Sequence, residues 1–388
     1  MRFKKNNWIK VRLNEVCEKA NSIDYRKQSG TFNYIDIGAI NSELNRIDEI
    51  KEIDWSNASS RARQVIYKND TLFSTVRVNL KRVALVDSEI KNGIASTGFT
   101  ILRAKENVID PLYLFYNSIA PRFLDNLVHL QVGTAYPAVT DKMVFNQEIF
   151  LPSLPEQIQI GELFQSIETT SHQCDRQEFD LRLLRKNLLN NLTKEKPKFG
   201  KLIKGEYNTV QISDVAEEIS ERVDNPSKSE YEKFVGLEDF ETGELKINRY
   251  SSTKGLISAM KLFRNGDVLF ARRNVYLKRV SQAVFDGVCS GDAIVMRANK
   301  KIIVPEFLTL ILNTNEFWDY ALSNAAGAFS KRIKWRELAV YYFDLPDLEA
   351  QVKIIEVFQQ IQTMLDQIST QISTLKNLKQ KLLNEILE

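Results

Sequence analysis

The chain carries an internal repeat. The segment DTLFSTVRVNLKRV at 70–83 returns at 267–280 as DVLFARRNVYLKRV with eight of fourteen residues identical, whereas unrelated segments would share about one. Two further segments return in the same order, NGIASTGFTILRA at 92–104 as DGVCSGDAIVMRA at 286–298, and LPSLPEQIQIGELF at 151–164 as LPDLEAQVKIIEVF at 345–358. A unit of about half of 388 residues is a whole domain, so we expect two related domains, each with its own core.

Composition limits the class of protein. A hydrophobic fraction of 43% and a charged fraction of 27% are typical of a soluble globular protein. The three cysteines are far apart and odd in number, which favours a reducing compartment over a disulfide framework. No apolar run has the length of a signal peptide or a membrane span, so we expect a cytoplasmic protein without a membrane partner. A net charge of +3 permits a nucleic-acid partner.

The texture of the sequence changes four times along the chain. Mixed strand-like and helical runs give way to a long helical pattern, then to a lysine-rich stretch with proline and glycine, and the first two textures then return. The predicted segments are a first globular domain at 1–155, a first long helix at 156–195, a basic linker at 196–205, a second globular domain at 206–349 and a second long helix at 350–388.

Both long helices show an apolar seam with alternating steps of four and three residues, which is typical of a coiled coil. In the second helix only Lys379 interrupts a seam formed by Ile354, Phe358, Ile361, Leu365, Ile368, Ile372, Leu375, Leu382 and Ile386. Shifted by 194 residues, the weaker seam of the first helix is Ile160, Phe164, Ile167, Ser171, Cys174, Glu178, Leu181, Arg185, Leu188 and Leu192. The pattern favours an antiparallel intramolecular pair that acts as a spacer, and two ordinary surface helices are the alternative.

Four features therefore occur twice in one order: a GDVLFARRNVYLKRV-like motif, an SGDAIVMRA-like strand, a glycine loop before a short element, and LP-x-L-x-x-Q opening a long helix. In this combination the chain resembles, over essentially its full length, the specificity subunit of type I restriction-modification systems. Many members open the helix with PPL-x-EQ, whereas Ala350 replaces the glutamate in the second copy here. The resemblance implies an α+β fold with two target recognition domains of mixed or antiparallel sheet and helices, related by a pseudo-twofold axis and separated by a long antiparallel two-helix coiled coil.

The resemblance also implies a function. Such subunits read a bipartite, asymmetric site in double-stranded DNA and dock two methyltransferase subunits and a motor-nuclease subunit. The chain would be non-catalytic alone and bind no cofactor directly, since S-adenosylmethionine binds to the partner methyltransferase. Spacer and docking residues are then expected along the seams, at Leu181, Leu188, Ile354, Ile361, Leu365, Ile368, Ile372 and Leu375. A stand-alone or decoy protein that binds DNA or a methyltransferase on the same scaffold is the alternative.

Basic residues cluster after a strand-like run in both copies. The first copy carries Arg77, Lys81 and Arg82, and the second carries Arg272, Arg273, Lys278 and Arg279. Arginine and lysine at a strand end can pair with phosphates or reach guanine edges. A solvated surface loop is the alternative for either copy alone. The retained LKRV predicts a common frame, such as phosphate positioning, whereas STVR at 74–77 against ARRN at 271–274 predicts reading of different bases.

A glycine loop repeats in the same way, as VGTAYPAV at 132–139 and AGAFSKRI at 326–333. Glycine allows a tight turn, and an aromatic side chain beside it can pack on a sugar or base. The predicted DNA contacts are Thr134 and Tyr136 in the first loop and Ser330, Lys331 and Arg332 in the second. An ordinary turn with a packed aromatic ring is the alternative.

Catalytic motifs are not evident. Neither a dinucleotide nor a phosphate-binding glycine loop occurs, and the two histidines, His129 and His172, stand apart. Asp239 with Glu244 and Lys246 resembles a nuclease pattern, but the first copy lacks the lysine and Thr-Gly-Glu is a natural hairpin turn. We therefore predict neither a catalytic nor a metal site.

Overall fold

The computed structural model describes residues 5–192 and 207–387, so the predicted linker at 196–205 lies outside the described residues. The chain forms two compact units. One comprises Met1–Asp175 with Thr370–Glu388, and the other comprises Arg176–Ser369. Within the described residues, no helix is both long and apolar enough to cross a membrane.

The first repeat mixes short strands with short helices. Its strands are β1 (Ile9–Arg12), β2 (Cys17–Glu18), β3 (Thr31–Ile35), β4 (Ile40–Asn41), β5 (Arg46–Ile47), β6 (Lys51–Asp54), β7 (Ala62–Val65), β8 (Thr71–Ser74), β9 (Val83–Leu85), β10 (Gly93–Ser96), β11 (Phe99–Ala104) and β12 (Glu148–Leu151). Its helices are α1 (Leu13–Val16), α2 (Pro111–Ile119), α3 (Pro121–His129) and α4 (Asp141–Phe145), and the long helix α5 (Leu154–Leu189) follows.

Two sheets form the body of the first repeat. One is antiparallel, with strand order β2–β11–β8–β9. The other has the order β6–β3–β10–β7, in which β3 and β10 are parallel. A separate antiparallel pair, β1 with β12, holds the N-terminal strand beside the strand that leads into α5.

The second repeat reproduces this plan. Its elements are β13 (Asn208–Gln211), α6 (Ile212–Val215), β14 (Ala216–Ile219), β15 (Arg222–Val223), β16 (Lys233–Val235), β17 (Ser251–Ser252), β18 (Met260–Phe263), β19 (Val268–Ala271), β20 (Val280–Gln282), β21 (Gly287–Cys289), β22 (Ala293–Ala298), α7 (Pro305–Ile311), α8 (Asn315–Ser323), α9 (Trp335–Ala339), β23 (Tyr342–Leu345) and α10 (Leu348–Leu387). The sheet orders are β14–β22–β19–β20 and β15–β18–β21–β16–β17, and β13 pairs with β23. The predicted α+β fold with two repeated domains, a long helix between them and another at the C-terminus is confirmed.

All four residues of strand β8 are buried, so both faces of this strand are covered. Phe73 lies in the cluster under the helices and meets Phe123 of α3 edge to face, with ring centroids 5.7 Å apart. Leu72, on the opposite face, lies in a cluster with Ile35 of β3 and Ala95 of β10. Each domain body is therefore a layer of helices on one sheet, with the second sheet behind it.

A buried ion pair explains why an aspartate and an arginine are retained in both copies of the repeated motifs. The Asp70 carboxylate, 2% exposed, accepts Arg103 Nε and Nη2 at 2.8 and 2.7 Å, and it also accepts the backbone N–H of Tyr67. Asp267 and Arg297 form the same two-pronged pair in the second repeat, at 2.9 and 2.8 Å. The two-pronged pair links the start of β8 to β11 in the first repeat and the start of β19 to β22 in the second. Both residues are therefore retained for structural reasons.

The long helix α5 is anchored by a buried glutamine. Gln157 is 1% exposed, and its amide oxygen accepts the backbone N–H of Asp110 at 2.8 Å. Its amide nitrogen donates to the carbonyls of Pro152 and Val108 at 2.9 and 3.3 Å. One side chain thus supplies hydrogen-bond partners to backbone groups of both the loop before α2 and the turn before α5.

Gln351 repeats these bonds at the start of α10. It is 0% exposed, accepts the N–H of Val304 at 2.9 Å, and donates to the carbonyls of Pro346 and Ile302 at 2.9 and 3.1 Å. The glutamine of LP-x-L-x-x-Q is therefore the residue that fixes the helix to its domain.

The departure at Ala350 is accompanied by a different helix cap. In α5, Glu156 accepts the Ser153 backbone N–H at 3.2 Å and the Ser153 hydroxyl at 2.8 Å. In α10, Asp347 stands at the serine position and accepts the backbone N–H of Ala350 at 2.8 Å. Either arrangement places a carboxylate at the helix N-terminus, where the helix dipole favours it.

All predicted seam positions of α5 and α10 are buried or half-buried. Within the first unit, Phe164 near the start of α5 lies in one cluster with Ile386 near the end of α10. Within the second unit, Leu192 just after α5 lies in one cluster with Phe358 near the start of α10. In each unit, therefore, the local segments of the two helices run antiparallel.

In the part of the chain that the structure describes, each unit has a polar pair that includes a seam residue. In the first unit, Lys379 Nζ lies 2.5 Å from Glu168, which also accepts the Tyr116 hydroxyl at 2.8 Å. Burial raises the pKa of Tyr116, so the phenol stays protonated as a donor. In the second unit, Arg185 donates to Gln362 at 2.7 Å. A shift of 194 residues relates the two cations and their two acceptors, so both units have a partly buried polar pair at the equivalent place, where it can fix the helix register.

We expect Gln351→Ala to lower the free energy of unfolding by about 2–3 kcal/mol, because it leaves one N–H and two carbonyl groups without their bonds. Urea denaturation followed by circular dichroism measures this. Gln360→Ala, at an exposed position on the same helix, is the control and should change stability by less than about 0.5 kcal/mol. Equal effects of the two substitutions would contradict the anchoring role.

We expect Lys379→Glu to lower the free energy of unfolding by about 3 kcal/mol, because it places a second carboxylate opposite Glu168 in a partly buried seam. Adding Glu168→Lys to the same chain should restore most of the loss, as judged by a double-mutant cycle in urea. Lys381→Glu, an exposed position on the same turn, is the matched control. Failure of the double variant to recover would show that the pair does not set the register.

Candidate nucleic-acid interface

The repeated LKRV segment closes a hairpin loop with an unusual backbone. The loop joins β8 to β9 in the first domain and β19 to β20 in the second, and each contains a single 3₁₀ turn. Arg77 and Lys81 flank the first turn with φ of 51° and 52°, and Asn274 and Lys278 flank the second with φ of 55° and 49°. Left-handed backbone costs non-glycine residues about 1–2 kcal/mol, so the identical strain in both domains marks a specified loop shape. Strand β8 accordingly ends at Ser74, before this loop.

The glycine loops are tight turns closed by paired backbone bonds. Val132 and Ala138 exchange hydrogen bonds of 2.9 and 3.0 Å, and Ala326 and Arg332 exchange two of 2.8 Å. Gly327 has a φ of 112°, and a Cβ there would lie 3.1 Å from the Ser330 carbonyl oxygen. Only a residue without a side chain fits this turn without strain.

The two loops of each domain are bonded to each other. In the first domain, the N–H of Arg77 donates to Pro137 at 2.7 Å. In the second, the N–H of Asn274 donates to Lys331 at 2.9 Å, and that of Ile333 donates to Arg272 at 3.1 Å. The segments that carry the predicted contact residues therefore lie side by side in each domain and form one continuous surface. We call residues 75–82 with 131–139 the first loop surface, and residues 272–279 with 325–333 the second loop surface.

The first loop surface presents one aromatic ring with one arginine. Arg77, Lys81, Thr134 and Tyr136 are exposed, the last at 70%. The guanidinium of Arg77 lies over the Tyr136 ring, 4.7 Å from its centroid, and donates to the Ala135 carbonyl at 3.3 Å. This cation–π contact orients a side chain that would otherwise be free to rotate.

The second loop surface is more basic. Arg273, Lys331 and Arg332 are exposed, whereas Arg272, Lys278 and Ser330 are half-buried. Arg273 Nε donates to the Ser330 hydroxyl at 3.1 Å, and that hydroxyl donates to Asn274 at 2.9 Å. The Asp292 carboxylate lies between three arginines, at 3.5–3.8 Å.

Arg82 and Arg279 point away from these surfaces. Arg82 Nη1 donates to the Ile37 carbonyl at 2.9 Å, and Arg279 Nη1 donates to the Leu237 carbonyl at 2.6 Å. Burial lowers the pKa of Arg279 from its ordinary value, because desolvation disfavours the charged form. Support of the neighbouring loop explains why both copies retain this arginine, and its contact with phosphate stays a prediction.

Phe329 is a surface feature that the sequence reasoning missed. It occupies the tip of the second glycine loop and is 99% exposed, whereas Ala135 occupies the equivalent place in the first. The sequence signal for Phe329 is an aromatic residue two positions after the loop glycine, Gly327. This signal is equally compatible with a ring packed in the core. A ring that is 99% exposed is not packed in a core and is accessible to a partner.

The weak nuclease pattern serves as a local cap. Asp239 accepts the backbone N–H of Gly236 at 2.7 Å. Among the described residues, no group of three or more histidine, cysteine, aspartate or glutamate side chains could hold a metal ion.

Comparison with known proteins gives one family. The family model of the type I restriction modification DNA specificity domain matches twice, over residues 5–178 and 204–377. The EcoDI type I restriction enzyme specificity subunit of Escherichia coli is 26% identical over 179 residues, which is 45% of this chain and 39% of that protein. The HindI specificity subunit of Haemophilus influenzae is 25% identical over 190 residues, 46% and 40% of the two chains. These matches therefore span about two fifths of the relatives' own lengths.

Solved structures match over nearly the whole chain. The HsdS subunit from Thermoanaerobacter tengcongensis has a TM-score of 0.57 and 27% identity, covering 98% of this chain and 96% of that one. A chain from a study of complex assembly and conformational transition of the type I R-M system has a TM-score of 0.65 and 27% identity, covering 99% and 98%. The S subunit from M. genitalium, at 13% identity, TM-score 0.59 and coverage of 100% and 98%, shows the fold alone.

We expect Arg279→Met to lower the free energy of unfolding by about 1–2 kcal/mol, because the half-buried Leu237 carbonyl loses its donor. Arg273→Met, on the exposed side of the same loop, should change it by less than about 0.5 kcal/mol. Urea denaturation of the two variants measures the difference. Equal stability of both variants would contradict the structural role of Arg279.

Proposed function

Because the chain belongs to the family of type I restriction modification DNA specificity domains and carries that domain twice, we propose that it reads a two-part sequence in double-stranded DNA. It acts as the specificity subunit of a type I restriction-modification complex. It performs no catalysis by itself, and the partner subunits carry out the chemistry on the DNA that it selects.

The observation that carries this proposal is the pair of loop surfaces. Both have left-handed backbone at the same two positions, a glycine turn at the same place and the same hydrogen bonds between the loops. The two surfaces therefore share one backbone conformation, which we call the frame. The exposed side chains on that frame differ, with Tyr136 and Arg77 on one surface and Phe329, Arg273 and Arg332 on the other. A shared frame with different contact residues is the arrangement expected of two modules that read different sequences.

The side chains suit DNA chemically. Arginine can bond guanine through two atoms in the major groove, and lysine can pair with phosphates without regard to sequence. Exposed Lys81 and Lys331 are suited to phosphate contact, and Arg77 and Arg273 are suited to base contact. The exposed rings of Tyr136 and Phe329 can pack on bases or sugars.

The partners follow from the same assignment. We propose two methyltransferase subunits, which bind S-adenosylmethionine, and a motor-nuclease subunit, in a cytoplasmic complex. The spacer helices offer apolar side chains outside their seams for docking, among them Phe179 at 65% exposure, Leu183 at 46% and Met364 at 47%. The similarity to a chain from a type I R-M assembly, at 27% identity, supports this part of the proposal.

We expect the complex to methylate a gapped, asymmetric motif, because the two loop surfaces differ. Single-molecule sequencing of DNA from cells that express the chain with its methyltransferase measures the motif. Arg77→Ala with Tyr136→Ala should relax one half of the motif, and Arg273→Ala with Arg332→Ala should relax the other half only.

Lys254→Ala is the control, since this exposed lysine lies in the second domain outside both loop surfaces and should leave the motif unchanged. A palindromic motif, or loss of both halves from either double variant, would contradict the proposal. Absence of any motif that depends on this chain would overturn it.

A further inference from the structure

Asp292 is an acidic residue in the middle of a basic surface. Its side chain is 22% exposed, and its carboxylate faces three guanidinium groups on the second loop surface. The separations from its oxygens are 3.8, 3.6 and 3.5 Å for Arg272 Nε, Arg273 Nη1 and Arg332 Nη2. Because a carboxylate repels DNA phosphates, its place on a surface that binds DNA needs a specific reason.

The first domain lacks the whole cluster. The N–H of Thr75 donates to the Gly98 carbonyl at 2.9 Å, as the N–H of Arg272 donates to that of Asp292 at 2.9 Å, so these positions are structurally equivalent. The residues that replace the three arginines and the aspartate are Thr75, Val76, Ala138 and Gly98. A Cβ at Gly98 would lie 2.5 Å from the terminal methyl of Ile37, so an acid at this position would require that side chain to move. All four positions therefore change together.

The cluster differs from a structural ion pair. In the same domain, Asp267 binds Arg297 through two bonds of 2.9 and 2.8 Å. Asp292 stays 3.5–3.8 Å from each of its arginines and captures none of them in such a fork. Among the described residues, Arg272 Nε is buried without a hydrogen-bond partner, and this carboxylate faces it. A shared carboxylate at this distance reduces the repulsion between the three guanidinium groups and orients them. It leaves their donors free to form shorter, two-pronged hydrogen bonds with another acceptor.

We propose that Asp292 is a positioning residue that determines specificity, by orienting this arginine cluster toward guanine in the half-site that the second domain reads. The proposal rests on the proposed function. Guanine O6 and N7 accept the two-pronged bond that arginine makes most often with a base. Without the carboxylate, the three arginines repel one another and turn toward phosphates, which carry no sequence information.

The test is a fluorescence anisotropy titration of the full chain in complex with its methyltransferase. The probes are a duplex with the mapped motif, the same duplex with each G·C pair of the second half-site replaced by A·T, and a random duplex. We expect Asp292→Asn to reduce the preference for the motif over the G·C-replaced duplex by about 5- to 100-fold. Binding to the random duplex should stay equal or become tighter, since one negative charge is removed.

Asp286→Asn is the matched control. It removes the same charge from the same domain, but Asp286 pairs with Arg264 away from the cluster, and asparagine is the residue at the equivalent position 92 of the first repeat. We expect it to leave the preference unchanged. Asp292→Glu keeps the charge and shifts the carboxylate by one methylene, so it should lose part of the preference with unaltered random binding.

The outcomes separate the two proposals. If Asp292→Asn tightens binding to all three duplexes equally, the residue acts only by charge, and the positioning role is wrong. If the second half-site contains no guanine, the proposed target of the arginines is wrong while the proposed function stands. If the unaltered complex prefers no duplex, the proposed function itself fails. Thermal unfolding checks that both Asp292 variants are folded. If both are folded and both retain the preference for the motif over the G·C-replaced duplex, the inference is overturned.

Discussion

The structure depends most on the buried glutamine at the start of each long helix. Gln157 and Gln351 each bond three backbone groups, and each connects a globular domain to its long helix at one fixed place. A domain that pivoted on its helix would lose these bonds together. The loops of that domain are therefore held in a defined direction relative to the first turns of the helix, which the proposed reading of DNA requires.

Support and contact are assigned to different residues of the same short motif. In LKRV, the arginine turns inward to a loop carbonyl, while the lysine before it closes a left-handed turn. The residues that differ between the copies include the exposed Arg77 and Tyr136 on one surface and Arg273 and Phe329 on the other. If the chain reads DNA as proposed, substitutions at the exposed positions can change the bases that a domain reads without altering the backbone that presents them.

Much of the fold followed from sequence because its signals are local and occur twice. Repeated motifs predicted two domains, and the seams predicted which faces of the helices are buried. The bond between Arg77 and Pro137 could not be predicted, because the two residues are sixty positions apart and pair only through the fold. Nor does an arginine reveal by its identity whether it bonds a carbonyl, as Arg279 does, or stays exposed, as Arg273 does.

The division of the chain into units has a consequence for the order of events during synthesis. Arg176–Ser369 is continuous in sequence and leaves the ribosome as one piece, whereas the other unit needs residues from both ends of the chain. Its bond between Glu168 and Lys379 joins residues 211 positions apart. The domain made first is thus the one that finishes last, and until the end of α10 emerges Glu168 lacks its partner and the part of the first cluster that Leu383 and Ile386 cover stays open to non-native association.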